Sequence, residues 1–192
     1  MPDRLLVLAS ASPRRADLLR QAGLSFEIHP SGIDETARPG ESAGDLAERL
    51  AREKAVAAAA HLSPALVVAA DTLVVVDGDI LSKPRDSDEA RTMLARLAGR
   101  VHAVITGLAL RTLPEEELHT EQVVSRVEFT PLTPAQIDWY VATGEGADKA
   151  GAYALQGIGA LMIRSVEGSY TNVIGLPLER LYPHLRRLKF LP

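Results

Sequence analysis

The chain has 192 residues, with 21 Lys and Arg against 25 Asp and Glu, for a formal net charge of −4. That acidic balance argues against sequence-independent binding to nucleic acid, so no stable nucleic-acid partner is expected. Cysteine is absent, which excludes a disulfide frame, a thiol nucleophile and a thiolate metal site and makes a reducing compartment natural.

Apolar residues make up 46% and charged residues 24%, ordinary values for a chain with a sizeable core, in one large domain or two small lobes sharing it. No apolar run approaches the ~20 residues that span a bilayer. The first apolar stretch, residues 5–11, is too short for a signal peptide. The expectation is a soluble, cytoplasmic protein with no membrane partner.

Residues 5–9 read as a short strand. A helix follows, with Ser12 at its N-cap, Pro13 at its first position and Gly23 at its stop. Residues 26–29 suit a second strand, and residues 30–40 a loop that carries Asp34 and Glu35. Ser42 caps a long helix reaching about His61, with Leu46, Leu50 and Ala57 on its apolar stripe and Lys54 on the same stripe. A lysine there either snorkels or faces a polar cleft.

Residues 65–79, ALVVAADTLVVVDGD, read as a strand buried on both faces and ending in an Asp77-Gly78 turn. Residues 80–82 return from that turn to Lys83-Pro84, and an acid-rich start opens a helix with Ala90, Met93, Leu94 and Leu97 on its buried face, stopped at Gly99. Residues 101–110 form a strand, residues 114–120 a charged loop, and residues 123–129 an alternating return strand. Thr133-Pro134 starts a helix that buries Ile137, Tyr140 and Val141. Residues 144–159 are glycine-rich, residues 160–166 and 170–174 pair as a hairpin about Glu167-Gly168, and residues 176–190 form a last helix that Pro183 kinks or shortens. Alternating strands and helices followed by hairpins define an α/β class with a mixed sheet.

Three groups of residues carry chemistry. Ser10–Arg15 joins a strand to a helix start, whose free N–H groups, two hydroxyls and two arginines suit phosphate oxygens; a capped helix with solvated arginines is an equal reading. Asp71 is a carboxylate inside an apolar strand, where an ionised group is costly without a partner, water or metal. Asp71 and Glu35 are candidate oxygen ligands for Mg²⁺ or Mn²⁺, and Lys54 and Lys83 are candidate phosphate partners, although an exposed role is the usual one for a lysine and for a loop acid such as Glu35. The five histidines show no ligand spacing, and no Gly-x-Ser-x-Gly elbow occurs.

Four blocks together resemble the Maf family of nucleoside triphosphate pyrophosphatases: LASASPRRADLL (8–19), AADTLVVVDGDILSKP (69–84), TGEGADKAGAYALQG (143–157) and GSYTNVIGLPL (168–178). The REKA tetrad at 52–55 and the run LAGRVHAVITGLAL at 97–110 also fit. The resemblance implies one Maf-like domain over residues 1–192, with the fold of the inosine triphosphate pyrophosphatases: an elongated, twisted mixed sheet flanked by helices, its two lobes around a nucleotide cleft. It implies hydrolysis of a nucleoside triphosphate to the monophosphate and pyrophosphate with a divalent cation, Mg²⁺ or Mn²⁺, and it suggests a homodimer.

The phosphate-binding and catalytic roles then fall on Ser10, Arg14, Arg15, Glu35, Lys54, Asp71 and Lys83, with Asp71 as proton acceptor and Asp71 and Glu35 at the metal. The dTTP/UTP branch of the family has Arg, Thr and Gln where this chain has Arg14, Thr72 and Gln156, whereas the 7-methyl-GTP branch has Trp, Gln and Glu. An amide at Gln156 offers one donor and one acceptor, matching the edge of uracil or thymine. The implied role is cleansing of the nucleotide pool, modified pyrimidines included. The rivals are a pyrophosphatase for other modified or purine triphosphates and a non-enzymatic regulator of cell division.

Overall fold

The structure is a computed structural model that describes residues 4–60 and 62–192. In chain order the elements are β1 (Leu5–Leu8), α1 (Pro13–Gln21), β2 (Glu27–Ile28), α2 (Ala43–Ala58), β3 (Ala65–Val76), β4 (Asp79–Leu81), α3 (Ser87–Leu97), β5 (Val101–Leu113), β6 (Glu117–Phe129), α4 (Pro134–Ala142), β7 (Ile163–Glu167), α5 (Tyr170–Ile174) and α6 (Leu178–Arg187). Two 3-10 turns, Ala150–Ala152 and Gly157–Met162, lie between α4 and β7. The strands form a seven-stranded sheet in the order β2-β1-β3-β5-β6-β7, with β4 paired to β3 off that path. Strand β1 runs parallel to β2 and β3, while β3–β4 and β6–β7 are antiparallel, so the sheet is mixed and the class is the expected α/β.

The chain divides into two compact units. The first holds the chain up to Asp71, Thr106–Val123 and Gly175–Pro192. Its core is an alanine-rich layer in which Val7 and Ala9 of the first strand region and Ala65, Val67 and Ala69 of β3 meet Ala51, Ala55 and Ala59 of the α2 region. Small side chains let α2 lie close to the sheet, and Gly107 of β5 takes this furthest: a Cβ there would stand 2.1 Å from the Ala47 carbonyl oxygen. Side chains alternate along a strand, so residues 65, 67, 69 and 71 share the face toward α2. Burial on both faces holds from Ala65 to Asp71; beyond it Thr72, Leu73 and Val75 are only partly covered.

Ser42 caps α2 as expected, its hydroxyl accepting from the Asp45 N–H at 3.1 Å. The helix closes at Ala58, and the expected end at His61 lies outside the described residues. Ala57 is exposed, contrary to expectation; the buried stripe is Leu46, Ala47, Leu50, Ala51, Lys54 and Ala55. Arg49 on the same helix is buried and ties down the loop that carries Glu35. Its Nε and Nη2 donate to the two Glu41 carboxylate oxygens at 2.6 and 2.9 Å, and Nη2 also donates to the Thr36 carbonyl at 3.0 Å. Asp34 closes the turn by accepting from the Thr36 N–H at 2.9 Å and hydroxyl at 2.6 Å.

The second unit holds Thr72–Ile105 and Val124–Ile174. Val74 and Val76 of β3, the predicted face of α3 (Ala90, Met93, Leu94, Leu97) and Ile137 and Tyr140 of α4 share one core there, and Val141 packs against it. Both helices start as the sequence predicts: the Asp86 carboxylate accepts from the Glu89 N–H at 2.8 Å, and Thr133 and Gln136 form a reciprocal capping box.

Three further expectations are corrected. The charged loop at 114–120 shrinks to a turn at 114–116, because β5 extends to Leu113 and β6 already begins at Glu117. Of its acids, Glu115 stays in the turn 2.8 Å from Arg4, while Glu117 sits on β6, 3.4 Å from Arg187. Tyr170–Ile174 is a helical turn and not the second arm of a hairpin; β7 pairs with β6 instead. The Ser169 hydroxyl accepts from the Asn172 N–H at 3.1 Å, and the buried Asn172 amide donates to the Val104 carbonyl at 3.2 Å and to Ser125 Oγ at 2.9 Å. Those polar anchors outweigh the strand preference of Tyr, Thr, Val and Ile. Helix α6 spans Leu178–Arg187, shorter than expected and with Pro183 inside it.

The Arg49 anchor has a pH signature. Hydrogen bonds from the Arg49 guanidinium and the Arg38 N–H hold the Glu41 carboxyl down to about 2, and the Glu41 partnership pushes Arg49 above its ordinary value. A depressed carboxyl stabilises the fold above its unfolded pKa, and that contribution is lost as pH falls through the folded one. Urea midpoints measured between pH 5 and about 2 should therefore fall toward acid. In Glu41→Gln the fall should be shallower and the midpoint at neutral pH lower.

Candidate active site

Asp71 is next in the row Ala65, Val67, Ala69 that faces α2, and Lys54 lies among the alanines of the opposing helix. Only 8% of Asp71 and 7% of Lys54 is exposed, so neither group is hydrated as it would be at the surface. They pair directly, Lys54 Nζ standing 2.6 Å from Asp71 Oδ1. The same nitrogen is 2.7 Å from Glu35 Oε1, whose side chain is more than half exposed. One ammonium thus holds a buried and a solvent-facing carboxylate. Lys54 does not snorkel: it faces polar partners.

The turn between β1 and α1 is organised by Ser10, also buried. Its Oγ accepts from the Ser12 N–H at 3.2 Å and from Arg15 Nη1 at 3.0 Å, while Arg15 Nε donates to the Gly175 carbonyl at 2.7 Å. Ser12 occupies the N-cap and Pro13 the first turn as predicted, but the Ser12 side chain makes no capping bond. The start of α1 is therefore shaped by Ser10 and Arg15 rather than by a conventional cap. Burial pulls the Arg15 guanidinium below its ordinary value; Asp71 opposes that, Arg14 adds to it and Glu35 opposes it. Those couplings put the Ser10–Arg15 turn and the Lys54 cluster in one electrostatic neighbourhood of the first unit.

Of the residues singled out by sequence, Ser10, Arg14, Arg15, Glu35, Lys54 and Asp71 belong to this unit, and Thr72, Lys83 and Gln156 to the other. Thr72 alternates with Asp71 along β3 and shares its face with Val74. Val74 in turn packs on Gly151, where an added Cβ would meet Val74 Cγ1 at 3.0 Å. Thr72 and Val74 thus share one face of β3, and Val74 packs on the glycine-rich block that carries Gln156. Lys83 is exposed and follows Ser82, whose carbonyl accepts the Gly151 N–H at 3.2 Å. Gln156 is exposed at the entry to the second 3-10 turn.

Two contributors escaped the sequence reading. Arg49 carried a usable signal, since Glu53 lies four residues on along the helix and bonds it at 3.2 Å. The Gly175 carbonyl carried none, being a backbone atom fixed only by the fold.

Asp71 and Glu35 offer hard oxygen donors, and both meet the Lys54 ammonium. Among the described residues no group of three or more His, Asp or Glu is arranged to hold a metal ion. The pair fits a hard cation that takes the rest of its shell from water and phosphate, and does not fit an all-protein cage. The histidines for which contacts are described sit elsewhere: His29 on Glu27, His102 on Tyr153, and His119 against His184. No helix among the described residues is long and apolar enough to cross a membrane.

Comparison with known proteins gives a consistent result. The profile of the Maf-like protein family matches residues 5–188. A dTTP/UTP pyrophosphatase of Anaeromyxobacter sp. is 51% identical over 185 residues, covering 95% of this chain and 88% of the relative. One from Geobacter sulfurreducens is 50% identical over 183 residues, covering 95% and 96%. Another, from Syntrophomonas wolfei, is 46% identical over 180 residues, covering 94% and 95%. A match across the whole ordered fold, at identities near one half, places the chain in the Maf family.

Proposed function

We propose that the protein hydrolyses dTTP and UTP to the monophosphate and pyrophosphate, removing these and modified pyrimidine triphosphates from the cytoplasmic nucleotide pool. The observation that carries this reading is Lys54 held between the buried Asp71 and the accessible Glu35. The names of the similar proteins supply the substrate.

In this reading Ser10, Arg14 and Arg15, with Lys83, bind the triphosphate. Two arginines are suited to that task because the guanidinium fork matches phosphate oxygens. Asp71 takes a proton from a water as that water's oxygen bonds to the α-phosphorus; the α–β anhydride bond breaks and pyrophosphate departs. Lys54 fixes the Asp71 and Glu35 carboxylates in place and adds positive charge where it develops on the leaving group. A divalent cation, Mg²⁺ or Mn²⁺, held by Asp71 and Glu35 would neutralise phosphate charge. Gln156 reads the O and N–H edge of the pyrimidine, with Arg14 and Thr72 as the other residues of the branch pattern.

A panel of nucleoside triphosphates run with Mg²⁺ and with Mn²⁺, with products identified, tests the activity. Pyrophosphate from dTTP and UTP well above that from purine substrates is expected, and release of orthophosphate alone contradicts it. Asp71→Asn should still fold, with a lower urea midpoint because Lys54 loses its buried counter-charge, and lose about 10²–10⁴ in turnover, the usual worth of a general base; near-normal turnover removes Asp71 from that role. Gln156→Glu should lower the preference for dTTP and UTP over purine nucleotides, and an unchanged ranking would take Gln156 out of base recognition.

A further inference from the structure

The glycine-rich stretch that carries Gln156 is not a slack loop. One carboxylate gathers it: Glu145 Oε1 accepts the Ile158 N–H at 2.7 Å, and Oε2 accepts the Gly159 N–H at 2.7 Å and the Tyr140 hydroxyl at 2.8 Å. The same Tyr140 oxygen accepts the Ala154 N–H at 3.1 Å. Lys149 closes the near side by donating to the Glu145 carbonyl and pairing with Asp148. Residues 154, 158 and 159 are thus held from one side, with Gln156 at the middle of the span.

The fit leaves no room for slippage. Gly157 lies at φ +85°, and a Cβ there would stand 2.2 Å from Glu145 Oε1; a Cβ on Gly159 would stand 2.1 Å from the Ala154 carbonyl oxygen. Burial works against ionisation of Glu145, yet the Ile158 and Gly159 N–H groups and the Tyr140 hydroxyl hold its carboxyl below the usual range. Two N–H donors and one hydroxyl need two acceptor oxygens, which a carboxylate supplies and an amide does not.

We propose that Glu145, braced by Tyr140, is a positioning residue that presents Gln156 to the pyrimidine base and so sets substrate selectivity. This rests on the assignment of Gln156 to the base. Glu145 touches no substrate in this account. Its effect runs through the backbone of residues 154–159, and the phosphate chemistry of the first unit does not depend on it.

The test is steady-state kinetics with UTP, dTTP, CTP and GTP on the full chain and on Gln156→Ala, Glu145→Gln, Tyr140→Phe and the Glu145→Gln/Gln156→Ala pair, each checked by thermal melting. Glu145→Gln should lower the UTP:CTP ratio of kcat/KM by about tenfold, as Gln156→Ala does, through KM for UTP and with kcat largely kept. Tyr140→Phe should act in the same direction and less. The double variant should be no less selective than either single one, because both remove the same contact. Selectivity lost in Gln156→Ala and kept in both Glu145→Gln and Tyr140→Phe overturns the positioning role and leaves the base reading intact. A fall in kcat that is equal for all four nucleotides also overturns it, marking a merely structural carboxylate. Unchanged selectivity in Gln156→Ala overturns both readings.

Discussion

A lysine ammonium held between two carboxylates under an alanine-rich layer is the constraint on which the proposed chemistry of the first unit depends. Lys54 and Asp71 reach each other because α2 lies close to the sheet. That closeness comes from Ala51, Ala55, Ala65, Val67 and Ala69 and from Gly107, whose missing side chain admits the Ala47 carbonyl. Larger residues in those rows would lift the helix and stretch a 2.6 Å ion pair. Glu35 completes the trio from a loop, and the loop is held by Arg49 through Glu41 and the Thr36 carbonyl. Core packing, loop anchoring and the Ser10–Arg15 turn all serve the placement of a few charges.

The second unit works by a different device. Its glycine-rich segment buries Ala152 and Tyr153 in the core, and residues 154–159 are then gathered by one carboxylate and one phenol that collect backbone N–H groups. The proposed labour divides accordingly: most of the charge for the phosphate comes from the first unit, while the second supplies Lys83 and the amide aimed at the base. Along β3, Asp71 lies on the face toward α2 and Thr72 on the face it shares with Val74.

Much of this was legible in the sequence because short-range physics set it. Caps at Ser42 and Thr133, the acid-rich start of α3 and its apolar stripe are local signals, and the structure follows them. Asp71 stood out because a carboxylate in an apolar strand demands a partner, and Lys54 because it lay on a buried stripe. What escaped were long-range events. Tyr170–Ile174 reads as a strand until Ser169, Ser125 and Val104 are known to surround Asn172. Arg15 reads equally as a phosphate partner or a solvated cation, and nothing in the sequence shows the Gly175 carbonyl, 160 positions away, folded onto it. The bracket at Glu145 was hidden because its partners are backbone N–H groups, which every sequence has.

A buried ion pair is a poor way to stabilise a core, since desolvation of each charge costs several kcal/mol and well-packed apolar replacements are often neutral or better. The account therefore holds that Lys54 and Asp71 are kept for chemistry. The direct measurement is to replace both together, Lys54→Met with Asp71→Leu, and to read the urea midpoint and pyrophosphate release from UTP on the same sample. The predicted result is a midpoint at or above that of the unaltered protein with turnover lost. A collapsed midpoint, or turnover that survives, would contradict the claim.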